Sequence, residues 1–593
     1  VNIRRRKHWG WGFEDQQPTL TEVHKAAAGL AAHLRPALGD VELGEVESPV
    51  PLDAVELASP RVAAPSELAD ICATDDHARA THALGKSYTD VIDGFRGRFA
   101  HPPDFVARPR DETDVERVLE WCSAERVAAI PYGGGTSVVG GVTPDIDGEP
   151  SMSASSAVES GAAASGTTGS GGAPGARGAC AYNGAVSIDL TALDRVLEVD
   201  PISRAALIQA GASGPELERQ LAEHGLTLRH FPQSFEFSTL GGWIATRAAG
   251  HFATVLTHIE DFVESTRAIT PAGVWESRRL PGSGAGVSPD RMLAGSEGAL
   301  GVITRAWVRV QPRPSHRASA GVRFERFLDG AACVRALSQS GLSPANCRLI
   351  DAREALTTMA GDGSSALLVL GFESPDHPVD AAMARALAIC AEYGGAIDSR
   401  RTIGPDDASA RGGDGGGGST GTGADAVSAW RGAFLGAPYL RDVFVAMGVL
   451  SETFETAITW ERFPAFHEHV TAAVREAVDA VAAPAARGAG LLSCRFTHVY
   501  PDGPAPYFTV IAPARRGEEV EQWAAIKRAA SDAVIAHGGT ITHHHAVGRD
   551  HRPWYDRQRP DPFARALLGA KAAIDPRGIM NPGVLIDPPR TVT

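Results

Sequence analysis

The sequence predicts an α+β fold in two domains, the second built on an antiparallel sheet. Three observations carry that expectation. A glycine-rich loop, "PYGGGTSVVGG" (Pro131–Gly141), follows the short apolar stretch Val127–Ile130, as when a strand delivers backbone N–H groups to a ligand. Helix and strand signals alternate on either side of it as far as the proline break at Pro314. From about Val322 the rhythm changes, and strand–helix pairs recur to the region of Gly539.

The elements follow in order. Residues 1–100 read as a helical or irregular segment. "DETDVERVLEWCSAER" (Asp111–Arg126) opens on a capping signal and puts Val115, Val118, Leu119 and Cys122 on one helical face. The strand "VAAI" and the glycine loop come next. "AVSIDLTALDRVLEVD" and "ALIQAGAS" read as strands, Gly214–Gly225 as a helix with a glycine stop, and Glu297–Pro314 as a segment ending in an alternating strand. These elements make a domain over 101–313. The second domain, over 314–545, takes "GVRFERF", "SALLVLGFE", "SCRFTHVY" and "YFTVIAP" as strands. Its helices are "DGAACVRALSQSG", "HPVDAAMARALAICAEYGG" and "EEVEQWAAIKRAASDAVIAHGG". Residues 546–593 read as a helix and a return segment. Two Gly/Ser-rich stretches, about 148–184 and about 406–425, read as flexible insertions.

Composition narrows the function. With 593 residues, 43% hydrophobic and 21% charged, the chain has the makeup of a globular enzyme. A net charge of −15 argues against nucleic-acid binding. Seven cysteines without a C-x-x-C pair suit a reducing compartment. No apolar leader follows Arg4–Lys7, so a cytoplasmic setting is expected. The glycine loop is not a P-loop, since no Gly-Lys-Ser/Thr follows. Nor is it a Rossmann fingerprint, whose third glycine would fall at Val138.

Four motifs occur in order: the glycine loop, "FPQSFEFSTLGGWIATRAAG" (Phe231–Gly250), "GSEGALGVIT" (Gly295–Thr304) and "NPGVL" (Asn581–Leu585). Together they resemble the vanillyl-alcohol-oxidase, or PCMH-type, family of FAD enzymes. The resemblance implies a PCMH-type FAD-binding domain, an FAD-linked oxidase C-terminal cap and non-covalent FAD. The cofactor-binding positions it implies begin with Pro131, Tyr132, Gly133, Gly134, Gly135, Thr136 and Ser137. A second group is Gln233, Ser234, Phe235, Glu236, Phe237, Ser238 and Thr239, then Gly242, Thr246, Arg247, Ala248 and Ala249. The last are Glu297, Gly298, Ala299, Leu300, Gly301, Val302, Ile303 and Asn581. Clustered amides in such loops neutralise a pyrophosphate without a basic side chain.

Further stretches, "HWGWGFED", "RHFPQSFEFSTLGGW", "CRLID", "PYLRDVF", "PAPYFTV" and "THHHAVGRDHRPW", resemble the alkyldihydroxyacetonephosphate synthases, the ether-lipid branch of that family. That resemblance implies exchange of the acyl chain of acyl-dihydroxyacetone phosphate for a fatty alcohol, through a flavin N5 adduct and with no net redox change. It implies Tyr507 as acid/base, His543, His544 and His545 as an essential triplet, and Arg348 as a further catalytic arginine. Arg441 is implied to hold the substrate phosphate, with His230 as a second substrate-binding residue. Peripheral membrane contact and a homodimer are implied with it; no metal is expected.

Read without the family, these residues keep plainer alternatives. Arg441 suits a surface ion pair, Tyr507 strand packing, and Arg348 a buried pair with Asp351. In an extended segment His543 and His545 face one side and His544 the other. The alternative function is an FAD-linked D-2-hydroxyacid dehydrogenase or oxidase of the glycolate or D-lactate type. Its metal-binding motifs are incomplete here: "HVYPDGPAPY" keeps His498 but sets Tyr507 about where a second histidine belongs, and "HHHAVG" lacks the glutamate.

Overall fold

The computed structural model describes residues 4–39, 43, 45–147, 182–404 and 426–587. The two Gly/Ser-rich stretches fall almost wholly outside these residues.

The segment before 101 is more ordered than its composition suggests. Helix α1 (Leu20–Leu38) starts on a capping box in which Thr19 and Glu22 satisfy each other's backbone N–H. Strand β1 (Cys72–Ala73), helix α2 (Asp76–Thr81) and helix α3 (Tyr88–Phe95) follow. Strand β2 (Phe105–Ala107), helix α4 (Glu112–Glu125), strand β3 (Val127–Tyr132) and strand β4 (Gly184–Asp189) complete the first sheet, in the order β1-β2-β4-β3. Thus Cys72–Ala73 joins that sheet from outside the expected 101–313 boundary. The β2–β4 and β3–β4 pairings are parallel. Strand β4 is buried at every position, as central parallel strands are.

A second, five-stranded sheet uses β5 (Val196–Asp200), β6 (Ala205–Gln209), β8 (Val263–Thr270), β9 (Gly273–Glu276) and β10 (Val302–Arg309). Helix α5 (Gly214–Ala222) precedes the short strand β7 (Leu226–Thr227). Helix α6 (Leu240–Thr246) lies between β7 and β8, and α7 (Pro289–Leu293) between β9 and β10. The minor strand β11 (Gln311–Pro312) pairs with β7.

The cap is a seven-stranded antiparallel sheet, as the sequence rhythm predicts. Its elements are β12 (His316–Phe324), α8 (Phe327–Gln339), β13 (Asn346–Ile350), α9 (Ala352–Thr357), β14 (Ala366–Ser374), α10 (Asp380–Glu392) and β15 (Ala396–Ile403). The chain continues through α11 (Ala426–Ala446), β16 (Val449–Glu455), α12 (Phe463–Val481), β17 (Leu491–Val499), β18 (Pro504–Pro513) and α13 (Glu519–Ala536). The strand order is β15-β12-β14-β13-β17-β18-β16. Apolar residues of α8, α10, α12 and α13 cover one face in a large continuous core. Helices α14 (Arg552–Gln558) and α15 (Asp561–Ile574) then lead back, and Met580 bridges to Ala129 beside the first sheet. No described helix is long and apolar enough to cross a membrane.

Candidate active site

One large cavity lies between the FAD-binding part and the cap, about 2380 Å³ with the solvent at its mouth included. Its floor is glycine-bearing turns. Strand β3 delivers Pro131–Ser137, and the cavity touches every residue of that run. Gly134 packs directly against the Phe237 carbonyl, where a Cβ would collide, so the turn closes only with glycine. The Thr239 side chain caps α6. Gln233, Ser234, Ser238, Thr239, Gly242, Thr246, Ala248 and Ala249 line the cavity beside it, as do Glu297, Gly298, Gly301 and Ile303.

Eight of the expected cofactor positions do not reach the cavity wall. Ala299, Leu300 and Val302 are packed in the core. Arg247 turns outward to Glu260, at 2.7 and 2.8 Å. Phe235 lies parallel to Trp243, Phe237 packs on Trp11 and Phe13, and Glu236 accepts from Tyr439. Asn581 works from behind: its amide donates to Gly141 O at 3.0 Å and Glu297 O at 2.7 Å, tying two floor turns together. Apart from Asn581, each sits in a motif whose other residues do line the cavity.

The roof comes from the cap face opposite its helices. Arg348 on β13, Arg495 and His498 on β17, and Tyr507 on β18 all line it, with Arg441 from α11 and His544 and His545 from the loop after α13. Register aligns the centre of this face: Tyr507 pairs with Arg495 on one side and Glu455 on the other. The Arg495 guanidinium lies 3.8 Å from the Tyr507 ring centroid and reaches Glu354 at 2.5 Å. Arg348 is 1% exposed and donates to His251 O at 3.1 Å. It does not pair with Asp351, which instead caps α9.

The histidine triplet departs from the extended geometry expected of it. Its three backbone N–H groups all end on the buried Glu455 carboxylate, at 2.6, 3.0 and 2.8 Å, and Thr542 adds its hydroxyl at 2.6 Å. Collecting successive amides on one carboxylate curls the chain. His544 and His545 therefore share the cavity side, while His543 turns away to Tyr500 OH at 2.8 Å and lies tilted against His258, ring centroids 4.5 Å apart. Burial would raise the Glu455 carboxyl, yet the His544 ring, 3.4 Å away, leads the contacts that hold it well below the usual carboxylate range. Burial pushes His498, His543 and His545 well below the usual imidazole value, so they are neutral. Ligand atoms of His498, His543 and His544 come within 4.8 Å of one another.

His230 is not brought to the cavity. It is 1% exposed, packed between Trp243 and Phe262 at 5.0 and 5.7 Å, with neither ring nitrogen hydrogen-bonded among the described residues. Burial lowers its pKa to about 3. An apolar arm of the cavity was absent from the sequence reading. It runs between α1 and α11, past Leu30, Leu34, Leu440, Phe444 and Ile511.

Comparison with known proteins agrees with this architecture. The family description "FAD linked oxidases, C-terminal domain" matches residues 313–585, and "FAD binding domain" matches residues 164–277. The chain is 28% identical over 541 residues to the alkyldihydroxyacetonephosphate synthase of Trypanosoma brucei brucei, covering 87% of this chain and 78% of that one. To the protein of the same name from Caenorhabditis elegans it is 28% identical over 617 residues, covering 98% and 94%. A glycolate oxidase subunit GlcD of Bacillus subtilis is 23% identical over 493 residues, covering 81% and 88%. A solved alkyldihydroxyacetonephosphate synthase superposes with a TM-score of 0.73 at 24% identity, covering 98% of both chains. p-Cresol methylhydroxylase superposes at 0.62 and 14%, covering 96% and 98%.

Proposed function

We propose that this chain, which has the two-part architecture of FAD-linked oxidases, exchanges the acyl chain of acyl-dihydroxyacetone phosphate for a fatty alcohol. The carboxylate departs with its own oxygen and the alcohol oxygen takes its place, so no net oxidation occurs. The observation that carries this reading is the roof: arginines, a phenol and imidazoles converge over the glycine floor, and an apolar arm leads away from them.

The cavity fits FAD because its floor offers main-chain amides where side chains would collide. When bound, FAD supplies the electron-accepting ring on which the exchange turns. Gly133–Ser137 would hold its pyrophosphate through backbone N–H groups, with the Thr239 turn and Gly298 lining the same floor. No covalent tether enters this reading.

The chain's own groups divide the remaining work. Arg441 holds the substrate phosphate, a dianion suited to a guanidinium fork. Tyr507 moves the C1 proton at its phenolic oxygen, next to a carbonyl that acidifies it. The Arg495 guanidinium packs over the Tyr507 ring and Glu354 fixes that guanidinium in place, so the phenol is held in one position at the cavity wall. His544 and His545, with ring centroids 6.3 and 5.5 Å from Tyr507, stabilise developing enolate charge. The apolar arm receives the acyl or alkyl chain.

The test is incubation with acyl-dihydroxyacetone phosphate and labelled fatty alcohol. Labelled ether forms without reduction of an added dye, and Tyr507→Phe lowers its rate by about 10² or more. Undiminished ether formation by Tyr507→Phe refutes the acid/base role.

A further inference from the structure

The N-terminal residues "RKHWGWGF" are unused in the chemistry above, yet they touch both sides of the cavity. Arg6 and Phe13 pair across an antiparallel bridge, closed by Lys7 N–H to Gly12 O at 3.2 Å and Glu14 N–H to Arg5 O at 2.9 Å. One side of this hairpin reaches the floor: the Arg6 guanidinium donates to the Gly134 carbonyl, and Phe13 packs on Phe237 at 5.3 Å. The other side reaches the roof. Lys7 Nζ lies 2.6 Å from Asp442 Oδ2, both side chains buried, and Trp11 N–H donates to the same carboxylate at 3.0 Å. Gly10, at φ +60°, presses its backbone so close to Asp442 that any Cβ would collide.

Asp442 directly follows Arg441 on α11. Successive helical residues point about 100° apart, so pinning one fixes the direction of the other. Arg441 is also held from the floor. It donates to Lys86 O at 3.0 Å, and Lys86 N–H donates to Ser137 O at 2.6 Å. A buried ion pair is a weak source of net stability, and its best-attested use is to fix register.

We propose that the N-terminal hairpin is a positioning element of the active site, and that its Lys7–Asp442 pair sets Arg441 toward the substrate phosphate. The proposal rests on the reading of Arg441 given above. It makes residues far from the chemistry in sequence a determinant of phosphate affinity rather than of proton transfer.

The test is titration of the FAD-loaded full chain with inorganic phosphate, followed by flavin absorbance. The double variant Lys7→Met with Asp442→Asn removes both charges together and avoids stranding either one. It is expected to melt near the wild-type temperature while its phosphate dissociation constant rises about tenfold. Asp442→Asn alone, which keeps the side chain's shape, is expected to raise the constant as well. A wild-type constant in these folded variants overturns the positioning role and leaves Arg441's reading standing. A wild-type chain whose phosphate response is absent, or survives Arg441→Ala, overturns the reading of Arg441 and the hairpin's role together.

Discussion

His230 packs its imidazole against Trp243 and Phe262 with both nitrogens unbonded among the described residues. Burial holds it neutral, with its pKa lowered to about 3 from the ordinary 6.5. In the unfolded chain the ring takes a proton below about 6.5; in the folded chain it does not until about 3. The folded state therefore binds fewer protons across that window, and this residue's contribution to stability is lost as pH falls through it. His230→Phe is expected to retain ether formation and to flatten the acid limb of the stability curve between about pH 6.5 and 3, measured by urea unfolding. Loss of activity with full FAD content restores His230 as a substrate-binding residue. The sequence places His230 beside a cofactor motif, and nothing in its neighbours reveals which way the ring turns. Arg441 and Tyr507 show the reverse: their plain alternatives were an ion pair and strand packing, and both side chains reach the cavity.

At the scale of elements, the loop after α13 takes its shape from Glu455, the last residue of β16. The carboxylate accepts three amides and one hydroxyl, at 2.6–3.0 Å. Glu455→Gln puts an N–H₂ among those donors and removes the charge. It is expected to cost about 1–3 kcal/mol, read from the denaturation midpoint. Ether formation is expected to fall with it, because His544 and His545 lose their shared orientation. An unchanged midpoint with unchanged activity contradicts the hub. The strand "VLSETFE" reads as ordinary alternation, and only antiparallel pairing with β18 brings its glutamate under three histidines distant in sequence. Local periodicity sufficed for the regular elements: the helix expected over Asp111–Arg126 is α4, and the alternating strand expected within Glu297–Pro314 is β10. The apolar arm escaped notice because its two walls, α1 and α11, lie some four hundred residues apart.

For the whole molecule, function depends on a floor and a roof made by separate stretches of chain and held in one geometry. The hairpin at Arg6–Phe13 joins them at one end, and Asn581 fastens the floor turns at the other. The floor was legible because glycine runs and their order survive in a single sequence. The roof was legible largely through family likeness, since its arginines, phenol and imidazoles carry no local signature. The most direct measurement is a crystal structure of the FAD-loaded protein with inorganic phosphate. The account predicts flavin density with its pyrophosphate along Gly133–Ser137, its ring beneath Tyr507 and His544, and phosphate on Arg441. A flavin lying elsewhere, or a phosphate that ignores Arg441 while the ring faces away from Tyr507, would contradict it.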